Sequence, residues 1–380
     1  MREILLELHR LVDESEPAAL VTVTRAEGSA YRREGAKMIC REGGRLIGSI
    51  SGGCLESDVY ERSVRAVERN RTETATYDTN AENSNIWGLG LGCNGTVEVL
   101  IEPIGWWRSP DGRAVLGEMS RRVRDGQRCA IATILVRDGT PEHEVKRLLV
   151  DLGGKARGSL GDRLLDAAVS KETVRLLGTE GPRPSRIIAS DSHGSQCEVF
   201  VDVLLPPTRL ILFGAGHDAV PLARMAREIG MVVTVVDSQA RLTGGDRFPD
   251  ADHLVCVDAE RFAEKVSFAG RPAVVLMSHH YLKDLAVLRQ ILESKDEFDY
   301  IGALGPRART EKMLEDLRRD GVDPSAEKVA AIRSPIGLDL GSESPAEIAL
   351  AVLAEILAAK NGRSARPLRD KRAATRTVGQ

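Results

Sequence analysis

In the second half of the chain, short runs of consecutive apolar residues alternate with longer stretches in which apolar positions recur at helical spacing. The apolar runs at 209–213, 232–236, 254–257, 273–277 and 299–303 predict strands. The stretches at 218–229 and 282–293 predict amphipathic helices between them. Strands that are apolar throughout and separated by helices predict a parallel sheet covered on both faces. A last helix is predicted from Ser344-Pro345 to about Ala359, with a Ser cap and Pro at the first helical position. The first half has a different pattern. Residues 1–10 mix acids with spaced apolar residues, as an amphipathic helix does. Strands are predicted at 19–24, 96–102 and 129–134, and a helix is predicted to end near Arg69.

The first half also repeats itself at an offset of 110 residues. Lys37-Met-Ile-Cys-Arg-Glu-Gly-Gly-Arg-Leu-Ile-Gly-Ser-Ile50 aligns with Arg147-Leu-Leu-Val-Asp-Leu-Gly-Gly-Lys-Ala-Arg-Gly-Ser-Leu160. Downstream, Leu55, Val59, Val64 and Arg65 align with Leu165, Val169, Val174 and Arg175. Each copy predicts a strand, a Gly-Gly hairpin turn, a second strand and a helix. The fold class expected is α/β: a C-terminal Rossmann-like parallel-sheet domain preceded by an α+β domain with an internal duplication. Prolines at Leu204-Leu-Pro-Pro-Thr208 mark the seam. The expected domains are 1–205 (copies about 17–104 and 127–205), 208–360, and a basic, disordered tail at 361–380.

Composition narrows the class. The formal net charge is −3, a near-balance that argues against a protein built to bind nucleic acid or an anionic membrane. Aromatics make up only 4% of residues, so aliphatic side chains must fill the core. No apolar run is long enough to span a bilayer, and the first residues do not read as a secretory signal. The six cysteines, at 40, 54, 93, 129, 197 and 256, include no C-x-x-C pair, so they form neither a disulfide framework nor a zinc site. Cytoplasm, with reduced thiols, is the expected location.

Four motifs carry candidate chemistry. Gly214-Ala-Gly216-His217-Asp-Ala219 follows a strand and opens a helix, and Asp237 ends the next strand. This is the dinucleotide-binding pattern, in which glycines admit a pyrophosphate to a helix N-terminus and the acid accepts from a ribose diol. Asp237 is expected to repel a 2′-phosphate. The bland alternative is a Rossmann fold without a ligand. In Gly48-Ser-Ile-Ser-Gly52-Gly53-Cys54-Leu-Glu56, two glycines end a strand before a helix. Cys54 is expected in the first helical turn, where the dipole favours the thiolate, with Glu56 placed to orient a ligand or oppose that effect. A buried structural Cys is the alternative. Trp87-Gly-Leu-Gly-Leu-Gly-Cys93-Asn-Gly95 places a second thiol in a glycine loop, and soft thiolates suit soft metals and sulfur-bearing cofactors. An ordinary glycine-rich connection is the alternative. His279 and His280 cap a predicted strand at the end that faces the ligand crevice, with Asp284 close by in sequence.

Together these motifs resemble the XdhC/CoxI family of accessory proteins for xanthine-dehydrogenase-type molybdenum enzymes. The resemblance rests on Gly28-Ser-Ala-Tyr-Arg-Arg-Glu-Gly-Ala-Lys-Met38, the Gly48–Glu56 run, Gly92-Cys-Asn-Gly95, Gly214-Ala-Gly-His217, Val236-Asp237 and Ser334-Pro-Ile-Gly-Leu-Asp-Leu-Gly341. Tyr31 and Asn94 depart from the family's Pro and Gly. The resemblance implies a homo-oligomeric factor that binds molybdenum cofactor (molybdopterin), protects it during sulfuration and passes it to a xanthine dehydrogenase-type molybdoenzyme. It implies a cysteine desulfurase as a further partner. It carries Cys54 and Cys93 over as cofactor-contacting thiols and candidate molybdenum contacts. Gly52, Gly53, Glu56, Gly214, Gly216, His217, Asp237 and His279 complete the cofactor-binding set, with NAD or another dinucleotide as the Rossmann ligand. Two other readings stand beside it: an NAD-dependent oxidoreductase with His279 or Asp284 handling protons, and a nucleotide-sensing interaction module.

Overall fold

Side-chain alternation sets the layers of the first part of the chain. Along β1 (Ala18–Gly28), Ala19, Val21 and Val23 pack into one core, while Ala18 and Leu20 pack into another. The computed structural model describes residues 2–28, 30–78, 95–179, 181–240 and 244–370. The chain forms two units, Met1–Pro206 and Pro207–Gln380.

The first unit opens with α1 (Arg2–Glu14). Its first half adds β2 (Lys37–Arg41), β3 (Leu46–Gly48), α2 (Glu56–Arg69), β4 (Glu73–Asp78) and β5 (Gly95–Pro103). The second half supplies α3 (Pro110–Arg124), β6 (Cys129–Arg137), β7 (Thr140–Pro141), β8 (Arg147–Asp151), β9 (Ala156–Ser159), α4 (Arg163–Leu177), β10 (Ser185–Ser190) and β11 (Gln196–Leu204). One sheet runs β3-β2-β1-β5-β4 and the other β9-β8-β6-β11-β10, with β7 on β6. The same path is therefore taken twice. One face of each sheet packs on its own helix, α2 or α4. The opposite faces share a core with α1, α3 and Trp107.

The two halves exchange charged partners. Thr22 pairs with Lys37 in the first sheet as Thr133 pairs with Arg147 in the second. Leu20 pairs with Glu102 as Ile131 pairs with Asp202. Lys37 and Arg147 are thus equivalent positions, and so are Glu102 and Asp202. Each cation pairs with the acid of the other half: Lys37 with Asp202, and Arg147 with Glu102. A self-complementary exchange of this kind is what a twofold interface produces, here within one chain.

The repeated Gly-Ser has a steric cause. Gly48 and Gly158 have φ of +81° and +86°. A Cβ on either would run into the carbonyl oxygen of Lys37 or Arg147. Gly48→Ala and Gly158→Ala are therefore expected to destabilise the unit by about 2 kcal/mol or more each, read in a denaturant titration.

The second unit is a parallel sheet of β12 (Arg209–Phe213), β13 (Val232–Asp237), β14 (His253–Cys256), β15 (Ala273–Leu276), β16 (Tyr300–Ala303) and β17 (Ile332–Arg333). Its helices are α5 (Ala219–Glu228), α6 (Phe262–Lys265), α7 (Tyr281–Glu293), α8 (Arg307–Arg319), α9 (Ala326–Ala331) and α10 (Pro345–Lys360). The order is β14-β13-β12-β15-β16-β17, so the chain moves outward from β12 in one direction and then returns to build the other side. That reversal opens a crevice between the carboxyl ends of β12 and β15. Helices α5 and α10 cover one face, and α7 and α8 the other. A capping box of Ser344 and Glu347 starts α10, at the position the sequence predicts. Residues 361–370 are exposed, and 371–380 lie outside the described residues. No helix among the described residues is long and apolar enough to cross a membrane.

Candidate functional site

Two glycine loops, one in each unit, anchor the sites that the sequence points to. In the first unit the loop runs from the end of β3 to the start of α2. Its centre is Ser51, which is buried. The Ser51 hydroxyl donates to the Glu56 carboxylate. The N–H groups of Gly53 and Leu55 each point at the Ser51 oxygen from 3.2 Å, and Cys54 Sγ lies 3.6 Å from it. Glu56 also accepts from Ser51 N at 3.0 Å and from Leu55 N at 3.2 Å. Burial alone would raise the Glu56 carboxyl. The Ser51 hydroxyl and the backbone N–H groups outweigh that and hold it below its ordinary value. The brace is therefore intact at neutral pH and is lost only as pH falls through that lowered value.

This arrangement revises two expectations. Glu56 faces its own loop rather than outward. The helix begins at Glu56 with Leu55 as its cap, so Cys54 precedes the first turn instead of lying in it.

The duplicate loop shows which features are scaffold. There Ser159 donates to Asp166 at 2.7 Å, Leu160 N donates to Asp166 at 2.7 Å, and Gly161 N donates to Ser159 Oγ at 2.9 Å. Glu56 and Asp166 thus brace equivalent turns. The halves differ at three positions. Asp162, which caps α4 by accepting from Leu165 N at 2.9 Å, is replaced by Gly52. Arg163 is replaced by Gly53, at φ +108°. Leu164, 57% exposed, is replaced by the half-buried Cys54. The first copy therefore lacks a side-chain cap on α2 and carries a thiol beside two bare glycines. A Cβ on Gly52 would lie 3.6 Å from the ring of Tyr31, which is 73% exposed. Tyr31 thus supplies an aromatic face next to the thiol loop. Sequence reasoning noted Tyr31 only as a departure from a family pattern, because the ring comes from a separate loop.

Burial separates the cysteines. It pushes the Cys129 thiol up to about 12 and raises those of Cys40 and Cys197. Cys54 is half-buried and Cys256 exposed. Iodoacetamide at neutral pH is expected to modify Cys54 and Cys256 in the native protein, and Cys40, Cys129 and Cys197 only after unfolding, as read by peptide mass mapping. Cys93 and its glycine loop lie outside the described residues. Among the described residues, no three His, Cys, Asp or Glu side chains converge to hold a metal ion. Cys54 can thus serve as a single soft donor to a metal that arrives within a cofactor, and the open glycine turn leaves room for such a group.

In the second unit, Gly214 follows β12 at φ +109° and donates its N–H to Val236 O at 2.8 Å. A Cβ there would lie 2.5 Å from the backbone of Met277 and Ser278. Gly216 sits beneath the His279 ring, His217 is exposed, and α5 starts at Ala219 without a side-chain cap. His279 has φ +59°, and its Nε2 lies 3.5 Å from Asp218. The structure therefore brings Gly214, Gly216, His217 and His279 to one crevice, at a helix start suited to a pyrophosphate. Asp284 plays a different part from the proton-handling one considered for it. It is 1% exposed and accepts from the Ser278 hydroxyl at 2.6 Å and from Arg309 at 2.7 Å, so it holds the loop that presents His279.

Comparison with known proteins agrees with this fold. Residues 210–356 match the model of the XdhC Rossmann domain, and residues 11–78 match that of the XdhC and CoxI family. A Bacillus subtilis (strain 168) protein, described as a probable xanthine dehydrogenase subunit, is 31% identical over 351 residues, 92% of this chain and 95% of that one. The molybdenum cofactor insertion chaperone PaoD of Escherichia coli (strain K12) is 25% identical over 340 residues, 89% of this chain and 82% of its own. A Bacillus halodurans protein, whose crystal structure is described as that of a xanthine dehydrogenase, superposes with a TM-score of 0.74 at 28% identity, covering 97% of this chain and 98% of that one.

Proposed function

The chain belongs to the XdhC and CoxI family, and on that premise we propose that it binds molybdenum cofactor and supports its sulfuration and insertion into a xanthine dehydrogenase-type molybdoenzyme. The similarity to a molybdenum cofactor insertion chaperone supports this reading. The observation that carries it is the contrast between the two loops of the first unit. On matched scaffolds, one copy has Asp162, Arg163 and Leu164 where the other has Gly52, Gly53 and Cys54. Selection for stability alone favours the capped, thiol-free version.

When bound, the cofactor supplies the molybdenum centre and its terminal sulfur. The protein's part is to hold and shield. Cys54 offers a soft donor at the loop rim. Tyr31 presents a face for a planar ring. The start of α2 has no side-chain cap, and the bare Gly52 and Gly53 let a phosphate approach it. Ser51 and Glu56 keep the turn in shape before any ligand arrives. A cysteine desulfurase as sulfur source, a homo-oligomeric state, a cytoplasmic location and a cofactor contact by Cys93 belong to the same proposal. So does a dinucleotide in the Rossmann unit, either NAD or the nucleotide part of a dinucleotide form of the cofactor.

The test is genetic. In cells lacking this protein, the client molybdoenzyme should accumulate as protein but lack activity. The wild-type chain should restore that activity and Cys54→Ala should not. Full client activity in the absence of the chain would sink the proposal.

A further inference from the structure

The end of the crevice that would receive a ribose is built from charges other than the one the sequence suggests. Asp237 is 8% exposed. One of its carboxylate oxygens accepts from Ala215 N at 2.9 Å and the other from Gln239 N at 2.9 Å. Its charge is thus turned toward its own glycine loop, which it ties to the end of β13. The next residue, Ser238, points its hydroxyl at a different group. Lys283 reaches from the first turn of α7 and places Nζ 2.6 Å from Ser238 Oγ. β13 and β15 flank β12 on opposite sides, and α7 follows β15, so this side chain crosses the crevice. Lys283 is half-buried and has no carboxylate partner among the described residues. A half-buried ammonium resting on a neutral hydroxyl is poised for an anion, because a charge-assisted contact there replaces a weaker neutral one.

The geometry points to Lys283, with Ser238, as the group that reads the ribose end, and to a 2′-phosphorylated dinucleotide as the ligand class. This rests on the reading that the Rossmann unit holds a dinucleotide. It reverses the expectation that Asp237 excludes a 2′-phosphate. A diol needs an acceptor, and Asp237 is buried with one backbone N–H already on each oxygen, whereas the half-buried groups at this end are donors. A phosphate monoester needs donors and positive charge, which Ser238 and Lys283 supply.

The experiment is isothermal titration calorimetry on the purified full-length chain with NADP⁺, NAD⁺ and 2′,5′-ADP. NADP⁺ is expected to bind about tenfold or more tightly than NAD⁺, with 2′,5′-ADP binding detectably by itself. Lys283→Ala should remove the preference by weakening NADP⁺ while leaving NAD⁺ nearly unchanged. Lys283→Arg should keep it. If NAD⁺ binds as well as NADP⁺, or if Lys283→Ala weakens both alike, the assignment of Lys283 is overturned while dinucleotide binding stands. If none of the three binds to folded protein, occupancy by a nicotinamide dinucleotide fails together with it.

Discussion

Replacing Arg147 with Met is expected to cost the first unit about 3–5 kcal/mol, because it leaves Glu102 buried without its cation. Glu102 is 1% exposed, and Arg147 pairs with it from the other half of the unit. The Arg147 guanidinium also lies 4.6 Å from the centroid of Trp107 and 5.5 Å from that of Trp106, and Nη1 is 3.2 Å from Thr133 Oγ1. Glu102→Leu should be similarly damaging, since it strands the guanidinium. The double variant Arg147→Met/Glu102→Leu should recover most of the loss, because apolar side chains of similar volume can occupy such a site at little cost. Lys37→Met tests the equivalent pair with Asp202 and should also destabilise. Denaturant unfolding followed by tryptophan fluorescence isolates this unit, since the three tryptophans are at 87, 106 and 107. A single-variant loss below about 1 kcal/mol would mean that water reaches the pair and that it behaves as a surface ion pair.

Cys54→Ala should reduce the molybdenum and pterin retained through purification by about tenfold or more, as expected when a metal-contacting group is removed. Leu164→Ala changes the equivalent position of the duplicate loop and should leave retention unchanged. Both side chains are at least partly exposed, so each substitution should alter unfolding by no more than about 1 kcal/mol. The pair therefore separates chemistry from scaffold within one chain. Equal retention in both variants would remove the thiol from the site.

The Rossmann unit is legible because its signals are local. β12, α5 and β13 are a run, a glycine loop and a run, and their observed bounds fall within a residue or so of the predicted ones. The duplication shows through Gly48 and Gly158 because a Cβ at either meets a carbonyl, so the residue cannot drift. The edge strands β4 and β10 carry no comparable signal. β4 is short and mostly polar, and in β10 the apolar Ile187, Ile188 and Ala189 run together, with Ile188 exposed, so no clean alternation marks it. The exchanged ion pairs join residues 165 and 45 positions apart, and only the packing of one half on the other brings them together. Two carboxylates have loop partners that the sequence does not show, for a shared reason. An acid beside a glycine loop suggests a ligand contact, but a tight turn has N–H groups of its own to satisfy. Glu56 and Asp237 both serve those groups. Cys54 has a different cause. The equivalent brace on Asp166 leaves α4 starting at Arg163 under its Asp162 cap, whereas Gly52 and Gly53 supply no cap and α2 starts only at Glu56.

The most direct test of the central claim is the molybdenum and pterin content of the wild-type protein, measured together after purification from a host that makes the cofactor. The two are expected in equal amounts, approaching one of each per chain. Folded protein that contains neither would contradict it.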